Sequence, residues 1–453
     1  MGFFKAYDMR GTFGVDFDLP LVERIGRALP KVVKGSRWLV GRDCRVTGAD
    51  VKAALVKGLL DAGADVDDIG LCSTPMVYFC TGRDGYDGSV MVTASHNPPA
   101  DNGLKVSMKT ALPVGYANGL DEVEKLASTE IPDAGVSRRG RYRFVDGAVA
   151  PYVEWMKSRV DTGSLKGLRY AVDCSNGMAS LFASGLFPGA TVINGTLDGS
   201  FPAHSPNPLK ADAREEISRL VHECSLDCGV IFDGDADRAM FVDGTGAFVQ
   251  PDYLVPVVAK ATGAKRGDRI IHDVRTSRGA VDAIRAMGCE PVMVPVGHAF
   301  AKPILRREKA LCGGELAGHY YFSEFYGCDS GVLAALRILS EIAKAKAAGL
   351  SFAGMMKPIS AKWANSGELN FKVGDKDAAI GRVLSTVEEK FPDETGRETM
   401  DGIRIEFAEG WISVRKSNTE PYLRLLVECD TSARLEEWKS LLVRAIDKDG
   451  ESC

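Results

Sequence analysis

The stretch Val90-Met91-Val92-Thr93-Ala94-Ser95-His96-Asn97-Pro98-Pro99 decides how the rest of the chain is interpreted. Its apolar run stops at small and polar residues, which predicts a buried strand leading into a turn. The two prolines prevent that turn from continuing as strand or helix. We therefore expect Ser95 at the exposed end of a rigid support, with His96 and Lys105 available to handle the proton of a serine nucleophile. For this segment alone, a polar turn with a surface histidine is the alternative.

The overall composition is that of an ordinary globular chain. Its 453 residues are 45% hydrophobic and 26% charged, which suits about three or four domains of usual size. The formal net charge of -5 argues against a general nucleic-acid binder, which needs clustered positive charge. No apolar run approaches the roughly 20 residues of a membrane span, and no signal peptide follows Met1. We expect a cytoplasmic protein that binds neither nucleic acid nor membranes.

The cysteines indicate a reducing environment. There are eleven of them, an odd number, and no two are spaced as C-x-x-C. Most have apolar neighbours, as in Leu71-Cys72 and Leu311-Cys312. We predict reduced, mostly buried thiols rather than disulfides or metal ligands.

A strand, a polar turn and a helix recur three times before residue 360. The three strands begin near Arg37, Leu168 and Asp268. The helical patterns that follow cover about 49–62, Met178 to Phe187 and Thr276 through Met287. The fold class we predict is α/β, with three related α/β domains that contain mixed sheets.

The pattern changes after residue 360. Alternating runs at 403–407, 411–415 and 422–427 predict consecutive antiparallel strands, with helices at 377–391 and 435–446. This is a fourth, smaller α+β domain. The predicted domains are residues 1–146, 147–246, 247–360 and 361–453.

Three alternating aspartates follow the apolar run 229–232, in Asp233-Gly234-Asp235-Ala236-Asp237-Arg238. Three adjacent carboxylates are electrostatically costly unless a cation neutralises them, and hard oxygen ligands favour Mg²⁺ or Ca²⁺. An EF-hand is excluded, because its glycine and glutamate positions hold Arg238 and Gly244. A solvated acidic turn is the alternative. Three protein ligands leave open coordination positions, as in Mg²⁺ sites that serve phosphate chemistry.

Two further segments suit contact with a polyol or an anion. In Gly313-Gly314-Glu315-Leu316-Ala317-Gly318-His319-Tyr320, glycines flank a carboxylate that could accept bonds from sugar hydroxyls, although a tight loop between domains is the alternative. Tyr7-Asp8-Met9-Arg10-Gly11 is predicted as a short loop that contacts an anion, unless Asp8 and Arg10 simply pair on the surface. His298, which follows a predicted strand, could be structural or functional.

A last motif lies between two predicted strands, in Arg415-Lys416-Ser417-Asn418-Thr419-Glu420-Pro421. A guanidinium binds two phosphate oxygens at once, and hydroxyls and turn N-H groups complete such a cradle. A bare hairpin turn would need no such set. We therefore favour phosphate binding over a plain turn.

Four of these motifs together resemble the signature loops of the α-D-phosphohexomutase family. They are Thr93-Ala-Ser-His-Asn-Pro-Pro, Asp233-Gly-Asp-Ala-Asp-Arg, Gly314-Glu-Leu-Ala-Gly-His and Arg415-Lys-Ser-Asn-Thr-Glu-Pro, in this order. The resemblance covers essentially the whole chain. Tyr7 to Gly11 and His319 to Phe322 are more similar to the bacterial phosphomannomutase/phosphoglucomutase branch than to the phosphoglucosamine branch.

The resemblance implies an enzyme that carries a phosphoryl group on Ser95 and exchanges the 1- and 6-phosphates of mannose or glucose. A hexose 1,6-bisphosphate would be both intermediate and activator. One Mg²⁺ per chain would be bound by the phosphoserine and by Asp233, Asp235 and Asp237. The four domains would surround one central cleft. These parts are what phosphoryl transfer requires, since positioning and charge neutralisation do most of the work.

The same resemblance implies roles for the other candidate residues. Those beside the phosphoserine are Arg10, His96, Lys105 and Arg238, with Lys105 or His96 as proton handler. Those toward the sugar are Tyr7, Arg275, His298, Glu315, Ala317 and His319. Those that hold the non-reacting phosphate are Arg415, Ser417, Asn418 and Thr419.

Ala317 departs from the family pattern, which usually has serine at this position. Losing one hydrogen bond costs about 0.5 to 1.5 kcal/mol, enough to change the preference among sugars without abolishing catalysis. The preferred hexose phosphate therefore stays open, and so does the choice between monomer and dimer. Phosphoglucosamine mutase is the alternative within the family. A non-catalytic sugar-phosphate-binding protein and a metal-dependent phosphatase are the alternatives from other classes.

Overall fold

Four β-sheets follow one another along the chain. The structure is a computed structural model that describes residues 2–129, 138–417 and 422–447. Three sheets mix parallel and antiparallel strands, and the fourth is antiparallel throughout. The predicted fold class is confirmed.

The first sheet has the strand order β1-β5-β4-β2-β3-β7, with β6 paired to β5. Its strands are β1 Met9–Thr12, β2 Arg37–Arg42, β3 Asp65–Leu71, β4 Gly88–Val92, β5 Asp101–Met108, β6 Leu112–Pro113 and β7 Tyr142–Phe144. Its helices are α1 Leu19–Val33, α2 Gly48–Asp61, α3 Thr74–Asp84 and α4 Leu120–Ala127. The helix predicted over about 49–62 is α2, and its residues Val51, Leu55 and Leu59, spaced about one helical turn apart, are fully buried.

Only Tyr7 and Asp8 of the loop predicted at residues 7–11 lie outside a strand. Met9–Thr12 forms β1 and pairs antiparallel with Asp101 to Leu104 of β5. Arg10 and Gly11 have weak strand preference, so the local pattern did not reveal it. A partner strand some ninety residues away supplies the ladder, and such tertiary pairing overrides local propensity.

The second sheet has the order β12-β11-β10-β8-β9. Its strands are β8 Tyr170–Asp173, β9 Thr191–Ile193, β10 Cys228–Phe232, β11 Ala239–Asp243 and β12 Phe248–Val249. Its helices are α5 Val149–Arg159, α6 Ala183–Leu186 and α7 Ala211–Glu223.

The single helix predicted from Met178 to Phe187 is wrong. A 3-10 helix over Met178–Leu181 is separated from α6 by Phe182, whose φ is -134°. This side chain is buried and packs against Tyr152, with ring centroids 5.6 Å apart. Burying the ring outweighs the short stretch of helix lost at the break.

The third sheet has the order β14-β13-β15-β16-β17. Its strands are β13 Arg269–Asp273, β14 Glu290–Val294, β15 Cys312–Gly314, β16 Tyr320–Phe322 and β17 Cys328–Asp329. Its helices are α8 Val255–Ala261, α9 Arg278–Ala286, α10 His298–Arg307, α11 Gly331–Ala347 and α12 Phe352–Ser360.

The fourth sheet has the order β18-β23-β22-β21-β20, with β19 paired to β23. Its strands are β18 Ala364–Asn365, β19 Leu369–Phe371, β20 Glu394–Glu398, β21 Ile403–Phe407, β22 Gly410–Lys416 and β23 Leu423–Cys429. Helices α13 Lys376–Lys390 and α14 Ser432–Ile446 cover one face. No helix among the described residues is long and apolar enough to cross a membrane.

The apolar cores show how the four units are joined. One continuous core runs through the first three units, where rings of Phe79, Trp155 and Phe325 meet across unit boundaries. The fourth unit has an apolar core of its own. Ten described cysteines are free, and eight of these are buried, as predicted.

All four sequence motifs occupy the same topological position. In each sheet, one antiparallel pair is joined by a loop that carries the motif: β4 to β5, β10 to β11, β15 to β16 and β22 to β23. In each of the first three units, the first strand of this pair is also paired in parallel with the strand on its other side. The repeat predicted from the sequence is therefore a repeat of topology, and each unit presents one loop.

Candidate active site

Ser95 lies in the β4–β5 loop in a strained conformation. Its φ is +52°, in the left-handed region that is unfavourable for residues other than glycine. It is fully buried, so the predicted exposure of Ser95 is wrong. The β10–β11 loop covers it, since a Cβ built on Gly234 would lie 2.7 Å from the Ser95 carbonyl oxygen.

The Ser95 hydroxyl contacts both an acid and a base. It donates to Asp233 Oδ2 at 2.8 Å and lies 3.2 Å from His96 Nδ1. Burial and the charges of Arg238 and Arg10 hold the pKa of His96 well below its ordinary value. The imidazole is therefore neutral at neutral pH and able to accept a proton.

The three aspartates of the β10–β11 loop form a compact, buried group. One carboxylate oxygen from each of Asp233, Asp235 and Asp237 lies within 4.8 Å of the others. Helix α3 of the first unit supports the loop, because the backbone N-H of Thr74 donates to the Asp235 carbonyl at 3.1 Å. The Thr74 hydroxyl also donates to the Asp235 carboxylate.

Lys105 of β5 reaches into this group from the first unit. Its Nζ donates to Asp235 Oδ2 and Asp237 Oδ2, at 2.6 Å in each case. Burial favours the neutral amine, but the two carboxylates outweigh it and raise the pKa of Lys105. The resemblance implies Lys105 beside the phosphoserine, and the structure adds that its ammonium group lies between two of the aspartates.

The aspartates fit a divalent cation. Burial and the charges of Asp237 and Asp235 raise the pKa of Asp233 well above its ordinary value. For Asp237, burial also acts upward, but Lys105 and His319 lower its pKa to about 2. Asp235 Oδ1 and Asp237 Oδ1 have no hydrogen-bond partner among the described residues. Unsatisfied buried oxygens in an all-oxygen donor set suit Mg²⁺.

Two arginines add positive charge around Ser95. Arg10 pairs with Asp8, with 2.7 Å between Nη2 and Oδ2, but the pair is buried rather than on the surface. This pairing turns Arg10 Nη1 toward the Ser95 loop, where it donates to the Ala94 carbonyl at 3.3 Å. Arg238 Nε lies 3.8 Å from Asp233 Oδ2.

The β15–β16 loop is a tight turn next to the aspartates. Its Gly318 carbonyl accepts from Ala239 N at 3.1 Å, and His319 forms a β-bridge with Arg238. His319 Nδ1 lies 2.8 Å from Asp329 Oδ2 and 3.6 Å from Asp237 Oδ1. The structure therefore brings this loop to the metal-binding group.

Glu315 and Ala317 lie in the same turn. Burial raises the pKa of Glu315, whose carboxylate accepts a hydrogen bond from the Tyr321 hydroxyl. The Ala317 methyl group offers no hydrogen bond and is only partly buried.

His298 and Tyr7 form the side of the site between the first and third units. The Tyr7 hydroxyl donates to the Val296 carbonyl at 3.0 Å, and its ring lies 6.2 Å from that of His298. Neither ring nitrogen of His298 has a hydrogen-bond partner in the described part of the chain. Burial and the charge of Lys302 lower the pKa of His298 well below its ordinary value.

Three arginines converge on one carboxylate at the junction of the third and fourth units. Arg415 Nη2 and Arg275 Nη1 lie 3.2 and 3.3 Å from Glu368 Oε1, and Arg424 Nη1 lies 2.9 Å from Oε2. Burial acts to raise the pKa of Glu368, but the arginines outweigh it and lower the pKa to about 2. The structure thus joins Arg275 and Arg415, which the sequence treated separately. Ser417 N donates to the Tyr422 carbonyl at 2.9 Å, while Asn418 and Thr419 lie outside the described residues.

Sequence reasoning missed several residues of this region. Thr74, Asp329 and Glu368 stand in no motif, and each acquires its partner from another unit or another loop. The sequence held a weak indication only for Thr74, because the capping residue Ser73 predicts that a helix begins there.

Comparison with known proteins identifies the family of this chain. Four family models match the chain: the phosphoglucomutase/phosphomannomutase alpha/beta/alpha domains I, II and III over residues 1–131, 150–246 and 250–357, and the C-terminal domain over 368–445. The chain is 37% identical to a phosphomannomutase of Escherichia coli, covering 97% of this chain and 98% of that protein. The chain belongs to the phosphoglucomutase/phosphomannomutase family. It is a phosphohexomutase, an enzyme that transfers a phosphoryl group within a sugar phosphate.

Solved structures of sugar-phosphate mutases and of a family member share its architecture. A family protein from Burkholderia thailandensis is 29% identical, with a TM-score of 0.86 over 100% of this chain and 98% of that one. An N-acetylphosphoglucosamine mutase from Aspergillus fumigatus, solved with GlcNAc-6P and magnesium, is 12% identical. It covers 99% of this chain and 96% of its own, with a TM-score of 0.63, and at this identity it shows the fold alone.

Proposed function

We propose that this phosphohexomutase interconverts the 1- and 6-phosphates of mannose and glucose by way of a phosphorylated Ser95 and a hexose 1,6-bisphosphate. The observation that carries the proposal is the bond from the Ser95 hydroxyl to Asp233, within a buried group of three aspartates. A serine held against such a group suits phosphoryl transfer, which depends on positioning and charge neutralisation. Relatives named phosphomannomutase support mannose, and the phosphoglucomutase/phosphomannomutase family models support glucose as the second sugar.

In the forward reaction, the bond between phosphorus and Ser95 Oγ breaks while a bond to the free sugar hydroxyl forms. The sugar hydroxyl loses its proton to a nearby base, and neutral His298 is available for this. Ser95 Oγ takes up a proton from Lys105, whose raised pKa keeps its ammonium charged at neutral pH. Neutral His96, 3.2 Å from Ser95 Oγ, accepts the serine proton when Ser95 attacks in the return step. The bisphosphate then turns over, and its other phosphoryl group returns to Ser95 by the reverse steps.

Asp233, Asp235 and Asp237 would hold one Mg²⁺, which when bound neutralises charge on the transferring phosphoryl group. Arg10, Arg238 and Lys105 add positive charge on the protein side. The Aspergillus enzyme was itself solved with magnesium and with glucose 1,6-bisphosphate, the two ligands that we propose for this chain.

The substrate groups have assigned partners in this proposal. Glu315 and His319 bind sugar hydroxyls, and Tyr7 lies toward the sugar beside His298. The non-reacting phosphate binds Arg415 and Arg275, together with Ser417, Asn418 and Thr419. We assign the four units the boundaries predicted from the sequence, and we propose a cytoplasmic monomer or dimer.

Phosphorus NMR tests the proposal with mannose 1-phosphate, glucose 1-phosphate and glucosamine 1-phosphate, each with Mg²⁺ and a trace of hexose 1,6-bisphosphate. Conversion of the first two to 6-phosphates is expected. Conversion of glucosamine 1-phosphate alone would instead make the chain a phosphoglucosamine mutase. Release of inorganic phosphate would make it a phosphatase, and binding without turnover would make it a sugar-phosphate-binding protein.

Ala317→Ser is expected to change the ratio of kcat/KM for mannose 1-phosphate and glucose 1-phosphate by about 2- to 10-fold. The added hydroxyl supplies one hydrogen bond to the sugar, worth about 0.5 to 1.5 kcal/mol. Steady-state kinetics with both sugars measures this ratio of kcat/KM values. Ala348→Ser, at the exposed residue that caps the C-terminus of α11, is the control. Equal ratios in the two variants would show that Ala317 does not set the preference between the two sugars.

Glu368→Gln is expected to lower the KM for hexose phosphates by roughly fivefold, about 1 kcal/mol. The Glu368 carboxylate forms ion pairs with the three guanidinium groups that bind the substrate phosphate in our proposal. Removing its charge therefore leaves these groups free to bind the phosphate. Inhibition by inorganic phosphate should strengthen in parallel. The variant should also be less stable, because the arginines lose their counter-charge.

The stability effect of Glu368 depends on pH. Its pKa of about 2 lies below the ordinary value near 4.3. The carboxylate therefore stabilises the fold fully above that ordinary value, and the stabilisation is lost as pH falls toward 2. Glu394→Gln, from the exposed Glu394–Arg397 pair, is the control for both measurements. A higher KM in Glu368→Gln would mean that this carboxylate orients the arginines instead of competing with the phosphate.

A further inference from the structure

Arg45 lies directly behind the Ser95 turn and is almost completely buried, with 1% of its surface exposed. Its Nη1 donates to the carbonyls of Pro98 and Asp101 at 2.7 and 2.8 Å. Its Nη2 donates to the carbonyls of Ser95 and Asn97 at 2.9 and 2.7 Å. One guanidinium thus binds four carbonyls of the loop that carries the reacting serine.

The amide side of the same turn is tied to Arg45 through two side chains. Ser95 N donates to Thr93 Oγ1 at 2.8 Å, and Thr93 Oγ1 donates to Asp43 Oδ2 at 2.6 Å. Asp43 Oδ2 lies 3.3 Å from Arg45 Nε. The charge of the buried guanidinium is therefore compensated, as a buried charge requires.

The second unit closes over Arg45. The ring of Phe201 lies over the guanidinium, 5.1 Å from its central carbon to the ring centroid. Gly199 has no room for a side chain, because an added Cβ would lie 2.6 Å from Arg45 Cα. Phe201 also packs on Gly234 of the aspartate loop, 3.4 Å from an added Cβ. Arg45 therefore stands at the contact between the serine loop and the aspartate loop.

Strain explains why such support is needed. Ser95 has a φ of +52°, and a non-glycine residue keeps such a conformation only when its surroundings over-determine it. Only a guanidinium suits this place, because its planar fork offers five donors and stays charged. A lysine ammonium has three donors on one atom and cannot serve four carbonyls.

We propose that Arg45 is a positioning residue that holds Ser95 Oγ against Asp233 so that the serine can accept and return the phosphoryl group. The inference rests on the proposed function, in which Ser95 carries that group. Arg45 acts through the backbone of the turn and through its contact with the second unit. A displacement of about 1 Å at the reacting atom can cost about a hundredfold in rate.

The test compares the full-length wild-type chain with Arg45→Lys. Each protein is incubated with glucose 1,6-bisphosphate, and the phosphate on Ser95 is measured by mass spectrometry. Transfer from the phosphorylated protein to glucose 1-phosphate is then followed in a single turnover. We expect the rate in Arg45→Lys to fall by about a hundredfold, while the Kd of the dephosphorylated protein for glucose 1-phosphate stays within about twofold of wild type.

Arg382→Lys is the matched control. Arg382 donates to the carbonyls of Ala445 and Ile446, at 2.8 and 3.0 Å, in the fourth unit. A role in stability alone would lower Tm in both variants and leave the single-turnover rate unchanged well below either Tm. Phe201→Leu is made alongside, since it keeps Arg45 and only loosens it; an approximately threefold to tenfold slower transfer is expected.

The outcomes separate the two hypotheses. Wild-type protein that gains no phosphate on Ser95 overturns the proposed function. Phosphorylated wild type together with wild-type transfer rates in Arg45→Lys and Phe201→Leu overturns the role of Arg45. If Arg45→Lys does not fold, the rate in Phe201→Leu decides by itself.

Discussion

Ser95→Ala is expected to lower mutase activity by at least about a thousandfold, the largest loss from any single change in this chain. The variant removes the only atom at this position that could carry the phosphoryl group between the two ends of the sugar. Binding should persist, because the arginines at the fourth unit are untouched. We therefore expect kcat to collapse while the Kd for hexose phosphate changes little, measured by coupled assay and calorimetry.

Ser89→Ala provides the matched control for Ser95→Ala. Ser89 lies on β4, is fully buried, and its hydroxyl has no hydrogen-bond partner among the described residues. Its removal should leave kcat within about twofold of wild type, since the lost hydroxyl makes no hydrogen bond. Comparable activity in Ser95→Ala and Ser89→Ala would rule out Ser95 as the carrier.

Lys105→Met is expected to cost about 3 to 5 kcal/mol of unfolding free energy when Mg²⁺ is removed by a chelator. The reason is that the Lys105 ammonium pairs with Asp235 and Asp237 at 2.6 Å each, and methionine leaves both carboxylates buried without this counter-charge. Added Mg²⁺ should restore much of the loss, about 2.7 kcal/mol at a hundred times its Kd. Denaturant titrations in chelator and in Mg²⁺ measure both quantities.

Lys105 also opposes the metal, because it occupies oxygens of the same aspartates. Mg²⁺ should therefore stabilise Lys105→Met more than wild type, although activity falls with the loss of a cation beside the phosphoryl group. Lys52→Met, which breaks the partly buried Lys52–Asp68 pair of the first unit, is the control. Equal Mg²⁺ stabilisation in all three proteins would place the metal elsewhere.

The Lys105 contribution has a definite pH range. Its pKa is raised in the folded chain, so the stabilisation is complete below the ordinary lysine pKa near 10.4. It is lost as pH rises through the higher folded-state pKa. Unfolding measured between neutral pH and this limit should show a constant difference between wild type and Lys105→Met.

Local patterns were sufficient for the elements that carry the motifs. The aspartate loop is an example, since apolar runs on both sides of Asp233 to Asp237 made two strands and a turn predictable. The same holds for Ile403–Phe407, where alternation marks a strand of the fourth sheet exactly as the structure has it. The prediction of one helix from Met178 to Phe187 was wrong because buried Phe182 packs against Tyr152 of α5, and the helix breaks at Phe182.

The sequence by itself determined the succession of three α/β units and one antiparallel unit, the four loops and the chemistry of their side chains. Those features follow from residues close together in the chain, whose periodicity and turn preferences act locally. Only the tertiary structure decided that Ser95 is buried, that Lys105 lies between two aspartates, and that Glu368 forms ion pairs with three arginines. Burying a charge is unfavourable unless a partner arrives with it, and here the partners come from other units of the chain. Their identity depends on how the four sheets pack, which no local pattern contains.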